Sequence, residues 1–256
     1  MLRSGWASLC NKLGSFPVQN NFSRTSTHLR TFTSSTTTRQ HASKYLALKN
    51  TPENLKYFDF SNLPISKEYN REDFLVFPEF ITEKEHEFLI KQTEKKLKRV
   101  AGAAYLDGHF DRVINKYREC TATHWGGEEE KVNEILQRVK DIFPDEYQWL
   151  PPHILDLHAE GCIDPHVDNL EASGHVITCL NLMNPTMFIM EHKDDPNIHF
   201  EVFVNPRTLY IQRNTIRYNF AHSIPNTPEK RVFKGEPVPQ ARRIGLLLRD
   251  VKKPEA

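Results

Sequence analysis

VITCLNLMNPTMFIMEHKDDPNIHFEVFVNPRTLYIQ, residues 176–212, is the stretch that decides the fold. Four short apolar runs, 176–182, 187–192, 198–204 and 209–212, are rich in β-branched and aromatic residues. They are separated by Asn184 and Pro185, by Asp194 to Asn197, and by Asn205, Pro206 and Arg207, residues that favour turns. Short strands at this spacing imply a sandwich or barrel. Working outward, 154–158 reads as a further strand, with Glu160 and Gly161 as its turn, and 244–248 as a short buried strand. Upstream, 74–81 is apolar and β-favouring and is stopped by Pro78. Thr82 and Glu85 then form a capping-box pattern, opening a helix to about Lys98. A second helix, 128–143, carries a stripe of Val132, Ile135, Leu136, Val139 and Ile142. Two helices followed by a run of strands predict an α+β fold: a double-stranded β-helix (jelly-roll) core with both N-terminal helices packed on one face.

Just upstream of that stretch lies Pro165-His166-Val167-Asp168-Asn169, and 54 residues beyond the Asp stands His222. His-x-Asp with a later His supplies two imidazoles and one carboxylate, the facial ligand set of non-haem Fe(II) oxygenases, which leaves the opposite face of the ion open. Residues i and i+2 of an extended strand point the same way, so His166 and Asp168 can reach one ion. Taken alone the pattern is weak, because a chain with 12 His will produce it by chance.

A second constellation strengthens it. Arg243 and Arg249 flank the apolar run 244–248 and, six residues apart, share one face of that strand. Arginine is rarely buried without a partner, and a planar dicarboxylate matches the fork geometry of two guanidinium groups. Arg242 points to the other face and reads as solvated.

The order His-x-Asp, His, then Arg-x-x-x-x-x-Arg resembles the AlkB family of Fe(II)/2-oxoglutarate dioxygenases, most of all its mitochondrial branch. Besides the ligands, the likeness is carried by HILDL (153–157), Gly161, Leu209-Tyr210-Ile211, Arg217-Tyr218-Asn219-Phe220 and Arg242-Arg243-Ile244, and it covers roughly residues 75–251. The resemblance implies Fe(II) on His166, Asp168 and His222, with 2-oxoglutarate as cosubstrate and O₂ as oxidant. It places Tyr210 against 2-oxoglutarate, although the strand alone reads as well as a packed core tyrosine. It places Arg243 on the distal carboxylate and Arg249 nearer the iron-bound end, with Ile244 and Gly245 lining the pocket. The founding pattern has Asn-x-Tyr on the strand before the first ligand. Here His153 and Leu155 are expected near the cosubstrate instead, a departure that weighs against nucleobase dealkylation.

Residues 1–50 contain no Asp or Glu and seven Lys/Arg, and are rich in Ser and Thr. That composition predicts a mitochondrial transit peptide over 1–42, and hence the matrix as the compartment. An entry segment over 43–73 and the dioxygenase domain over 74–256 follow. Residues 51–256 carry 27 Lys/Arg against 33 Asp/Glu, an acidic balance that does not suit duplex-wide nucleic-acid contact. No stretch is long and apolar enough to span a bilayer. The four cysteines lack C-x-x-C spacing; Cys10 falls in the expected transit peptide, and Cys120, Cys162 and Cys179 read as free thiols. Between 100 and 127, aromatic and basic residues interleave: Tyr105, His109, Phe110, Arg112, Lys116, Tyr117, Arg118, His124 and Trp125. They form either a lid over a base or an ordinary covering loop and hairpin. The function expected is hydroxylation of a protein side chain or another mitochondrial molecule by a monomer. The alternatives are a demethylase of methylated mitochondrial RNA or tRNA, and a non-enzymatic jelly-roll interaction module.

Overall fold

The computed structural model describes residues 44–108 and 113–252. The expected transit peptide, and His109, Phe110 and Arg112 of the expected lid, lie outside the described residues. Among the described residues, the strands are β1 (Phe58–Asp59), β2 (Phe74–Phe77), β3 (Ile114–Thr121), β4 (His153–His166), β5 (Val176–Asn181), β6 (Thr186–His192), β7 (Asp195–Val204), β8 (Leu209–Arg213), β9 (Phe220–Ile224), β10 (Val232–Phe233), β11 (Glu236–Pro237) and β12 (Arg243–Arg249). The helices are α1 (Glu83–Val100), α2 (Glu129–Lys140) and the short α3 (Asn214–Asn219). One antiparallel sheet runs β1-β7-β6-β9-β4-β12-β5-β8-β2, with β3 added to β4, and β10 and β11 form a separate hairpin.

Side-chain alternation splits this sheet into two layers. Ile154, Val176, Leu180, Leu209, Ile211, Ile244, Leu246 and Leu248 face outward and meet Leu89 and Leu97 of α1 and Val132, Ile135, Leu136 and Val139 of α2. Each such aliphatic side chain contributes about 1.5–3 kcal/mol on full burial, before the entropy of ordering it. The alternate residues, Leu155, Leu157, Ile177, Cys179, Tyr210 and Leu247, face inward. There they meet Phe188, Met190, Phe200, Val202 and Phe220 from the other half of the sheet. Phe74 of one edge strand lies 5.9 Å from Phe58 of the opposite edge strand and 6.0 Å from Phe200, so the sheet curls back over its own inner face. This is the jelly roll, with both helices on one outer face, as the sequence predicts. The capping box at Thr82 is formed: Glu85 N–H donates to the Thr82 hydroxyl, and the Glu85 carboxylate accepts from Thr82 N–H.

Local structure departs from the sequence reading in three places. First, β4 has no turn at Glu160 and Gly161 but runs on for 14 residues. Its first half pairs with β12 and its far end with β9. Gly161 is required by close approach and not by a turn. A Cβ there would stand 2.8 Å from the carbonyl oxygens of Asn115 and Lys116, where the β3 register shifts. Second, residues 114–121 form a strand on β4, with an irregularity at Lys116. Third, the turn between β6 and β7 is a tight one at Lys193 and Asp194, and Asp195, Pro196 and Asn197 already belong to β7. The entry segment is stitched to the domain by the buried Arg213. Its guanidinium donates to the carbonyls of Tyr45, Leu48 and Glu72, while Asp73 pairs with its Nε. Cys120, Cys162 and Cys179 are free and buried. Among the described residues, no helix is long and apolar enough to cross a membrane.

Candidate metal centre and cosubstrate pocket

The long β4 is what builds the site. By crossing from one half of the sheet to the other, it brings His166, at its end, directly opposite His222 of β9 in the ladder. Opposed residues share a face, and the two imidazole centroids lie 4.3 Å apart. Asp168 follows two residues later, and its Oδ1 is 3.3 Å from His166 Nε2 and 3.8 Å from His222 Nε2. One ligand atom from each of the three residues falls within 4.8 Å of the others. His166 Nδ1 lies 2.9 Å from the Asp164 carbonyl, so with the proton on Nδ1 the ring is oriented and Nε2 faces Asp168.

The charges around this cluster suit a cation. Burial opposes ionisation of Asp168, but Arg249 and the two imidazoles outweigh it and hold the carboxyl well below its usual range. Burial, with the neighbouring His166, pushes His222 down to about 3, so its imidazole is neutral and able to ligate. Arg249 reaches the other oxygen of the same carboxylate, Nη2 at 3.2 Å and Nε at 3.3 Å from Asp168 Oδ2. Arg217 clamps the loop that carries Asp168. Its guanidinium, 1% exposed, donates to the carbonyls of Asp168 (3.0 Å) and Asn169 (3.2 Å) and to the Ser173 hydroxyl (3.1 Å).

Behind the cluster, Arg243 is buried on the inner face of β12. Its Nη2 donates to the Tyr210 hydroxyl at 3.0 Å and contacts Cys179 Sγ at 3.5 Å, and the guanidinium lies over the Phe188 ring. Burial, with Cys179 beside it, pushes Tyr210 well above the usual tyrosine range, so the hydroxyl stays neutral. Nε of Arg243 is buried with no hydrogen-bond partner among the described residues. Among the described residues no acid pairs with this buried guanidinium, and such an arrangement calls for an anionic ligand.

No family model matches the chain. A Mus musculus protein, alpha-ketoglutarate-dependent dioxygenase alkB homolog 7, mitochondrial, is 33% identical over 183 residues, covering 71% of this chain and 80% of the relative. The chain belongs to this family. The Bos taurus protein of the same name is 32% identical over 179 residues, 69% of this chain and 78% of the relative. Among solved structures, OsALKBH1 matches 71% of this chain and 99% of its own at a TM-score of 0.49 and 15% identity. A Pseudomonas putida prolyl-4-hydroxylase matches 71% and 93% at a TM-score of 0.49 and 11% identity. The chain is therefore a 2-oxoglutarate-dependent dioxygenase, an enzyme that works with Fe(II), 2-oxoglutarate and O₂. The residues present fit those groups. Two imidazole nitrogens and an ionised carboxylate converge on one point, and a buried guanidinium with an unsatisfied donor lies beyond it.

The other residues singled out in this dioxygenase sequence fall as follows. Gly245 lies on the Arg243 face of β12, where a Cβ would sit 2.8 Å from Cys179 Sγ and 3.1 Å from Arg243 Nη2. The Ile244 side chain faces the helices. Leu155 packs in the inner cluster, and His153 Nε2 lies 2.9 Å from Glu119 Oε2. Arg242 is not solvated. It donates to both oxygens of the fully buried Asp156 at 2.9 Å and to Glu94 of α1 at 2.8 Å, and these contacts raise its pKa. Arg118 Nε (2.7 Å) and the Tyr105 hydroxyl (3.1 Å) complete the shell of Asp156. Sequence reasoning quoted Arg217 but gave it no role. An arginine in the apolar run before His222 was the available signal. Cys179 and Asp156 carried none.

Proposed function

We propose that His166, Asp168 and His222 hold Fe(II), that Arg243 with Tyr210 receives the distal carboxylate of 2-oxoglutarate, and that the enzyme hydroxylates a protein side chain or another molecule of the mitochondrial matrix. The observation that carries the reading is the convergence of the three ligand atoms within 4.8 Å, with the buried Arg243 behind them. When bound, Fe(II) and 2-oxoglutarate supply O₂-dependent decarboxylation to succinate and CO₂, coupled to hydroxylation of a C–H bond. The protein's part is orientation and exclusion of water. Arg249 keeps Asp168 ionised and fixes which of its oxygens faces the histidines. Arg217 sets the height of the Asp168 backbone. Tyr210 stays neutral and can donate to an oxygen beside Arg243.

The preference for a substrate other than a nucleobase rests on where the aromatic and basic residues of 100–127 are engaged. Arg118 and Tyr105 are committed to Asp156, on the sheet face that carries the helices. Lys116 pairs with Glu160, and Tyr117 and Trp125 are buried. The acidic balance of 51–256 points the same way. The compartment rests on the acid-free, Ser/Thr-rich leader and on the mitochondrial designation of both relatives. Mass spectrometry of mitochondrial proteins and tRNAs, with wild type or Asp168→Ala as the only copy, tests the substrate class. Peptides heavier by one oxygen in the wild type support hydroxylation. Methyl groups retained on tRNA only in the variant would move the assignment to RNA demethylation.

A further inference from the structure

The cavity beside Arg243 holds a second arginine that the family pattern does not supply. Arg231 follows a 3-10 turn at Pro228–Lys230 and precedes the β10–β11 hairpin. Its backbone is pinned on both sides: its N–H donates to the Pro228 carbonyl (3.1 Å) and its carbonyl accepts from Val238 N–H (2.8 Å). The hairpin closes through Lys234 and Gly235, both at positive φ, as a two-residue connection of this kind requires. The Arg231 side chain enters a cavity of about 30 Å³ that it lines together with Arg243, Leu157, Met187, Ile224 and Val238. Nε and Nη1 of Arg231 are buried with no hydrogen-bond partner among the described residues, as is Nε of Arg243. Among the described residues, no Asp or Glu lines the cavity. Two guanidinium groups, that of Arg243 buried and that of Arg231 partly so, meet in a mostly apolar lining with three buried donors unsatisfied, an arrangement that an anion between them would stabilise. The room available suits a pair of oxygens better than a bulky group.

The position along the ladder identifies which anion. Ile224 is two residues beyond His222 on the same strand, and so on the same face; Arg243 is the β12 partner of Leu157. Ile224, which lines the cavity, is thus one strand repeat, about 6.6 Å along β9, from His222, a span comparable to an extended five-carbon diacid. We infer that Arg231 is a second cosubstrate-binding arginine, which with Arg243 forms a two-guanidinium receptor for the distal carboxylate of a 2-oxo diacid. This rests on the functional reading above and deepens it. The receptor selects for diacids, because a 2-oxo monoacid would leave both guanidinium groups unsatisfied.

The test is calorimetric binding to the full-length protein loaded with redox-inert Mn(II), with 2-oxoglutarate and the monoacid 2-oxobutyrate as probes. Arg231→Met is expected to weaken 2-oxoglutarate by about tenfold to a hundredfold and to leave 2-oxobutyrate within about twofold. Arg231→Lys is expected to recover part of the loss, with unchanged melting temperature and circular dichroism. The inference is overturned if Arg231→Met binds 2-oxoglutarate as the wild type does while Arg243→Met does not. It is also overturned if both probes weaken equally, which marks a structural defect. If the wild type itself binds no 2-oxoglutarate in the presence of Mn(II), the functional reading fails, and the inference with it.

Discussion

Arg217 offers a test of whether the Asp168 loop is held in place for the metal. It is 1% exposed, and its three hydrogen bonds all go to residues 168–173. Arg217→Met removes the donors and leaves two carbonyls and a hydroxyl short of partners. Hydrogen bonds from a charged donor are worth about 1.5–3 kcal/mol each, and although Nε of Arg217 has no partner among the described residues, removing a buried ionic side chain costs about 3–5 kcal/mol of folding stability. Part of that loss falls on the metal. Groups that orient a ligand typically change metal affinity by about 10- to 100-fold, or roughly 1.4–2.7 kcal/mol. Arg217→Lys keeps the charge but can reach fewer acceptors at once, so its loss should lie between wild type and Met. The assay is anaerobic Fe(II) titration of metal-free protein, with urea unfolding run in parallel to separate affinity from stability. The clamp argument is refuted if both variants fold and bind Fe(II) within about twofold of wild type.

Two further outcomes follow from the same geometry. Asp156 is fully buried and engages Arg118, Arg242 and Tyr105, so Asp156→Ala leaves Arg118 without a carboxylate and Arg242 with Glu94 alone, and should lower unfolding free energy by about 3–5 kcal/mol in urea; a loss under about 1 kcal/mol would show that Glu94 and solvent compensate them. Gly245→Ala places a methyl group against Cys179 and Arg243, so it should weaken 2-oxoglutarate about tenfold in a binding titration while leaving Fe(II) affinity unchanged; equal affinity for 2-oxoglutarate would mean that the Arg243 side chain yields at no cost.

Much of the fold was legible because its signals are local. The capping box at Thr82 and the alternation in β12 each lie within a few residues and are formed as read; the α2 stripe is formed through Val139, while the helix ends at Lys140 and leaves Ile142 beyond it, packed against the same core. The candidate site was legible by spacing: the six-residue separation on β12 fixes a face without knowledge of the rest, and Asp168, although in the loop just past β4, stays two residues from His166 and within reach of the same point. What was missed depends on partners distant in sequence. β3, with sequence INKYRECT, has no clear alternation and becomes a strand because β4 offers it an edge. Gly161 looked like a turn residue, yet its requirement comes from the β3 backbone passing against it. Arg242 looked solvated because its acceptor, Asp156, is 86 positions away. Nothing local marks Arg231, whose surroundings are assembled from β4, β6, β9 and the segment before β12.

The measurement that bears most directly on the central claim is Fe(II)-dependent conversion of 2-oxoglutarate to succinate, followed alongside metal stoichiometry in wild type, His166→Ala, Asp168→Ala and His222→Ala. The account predicts one Fe(II) per wild-type chain and succinate formation, with both lost in each of the three variants. Full iron occupancy and undiminished succinate formation in Asp168→Ala or His222→Ala would contradict it.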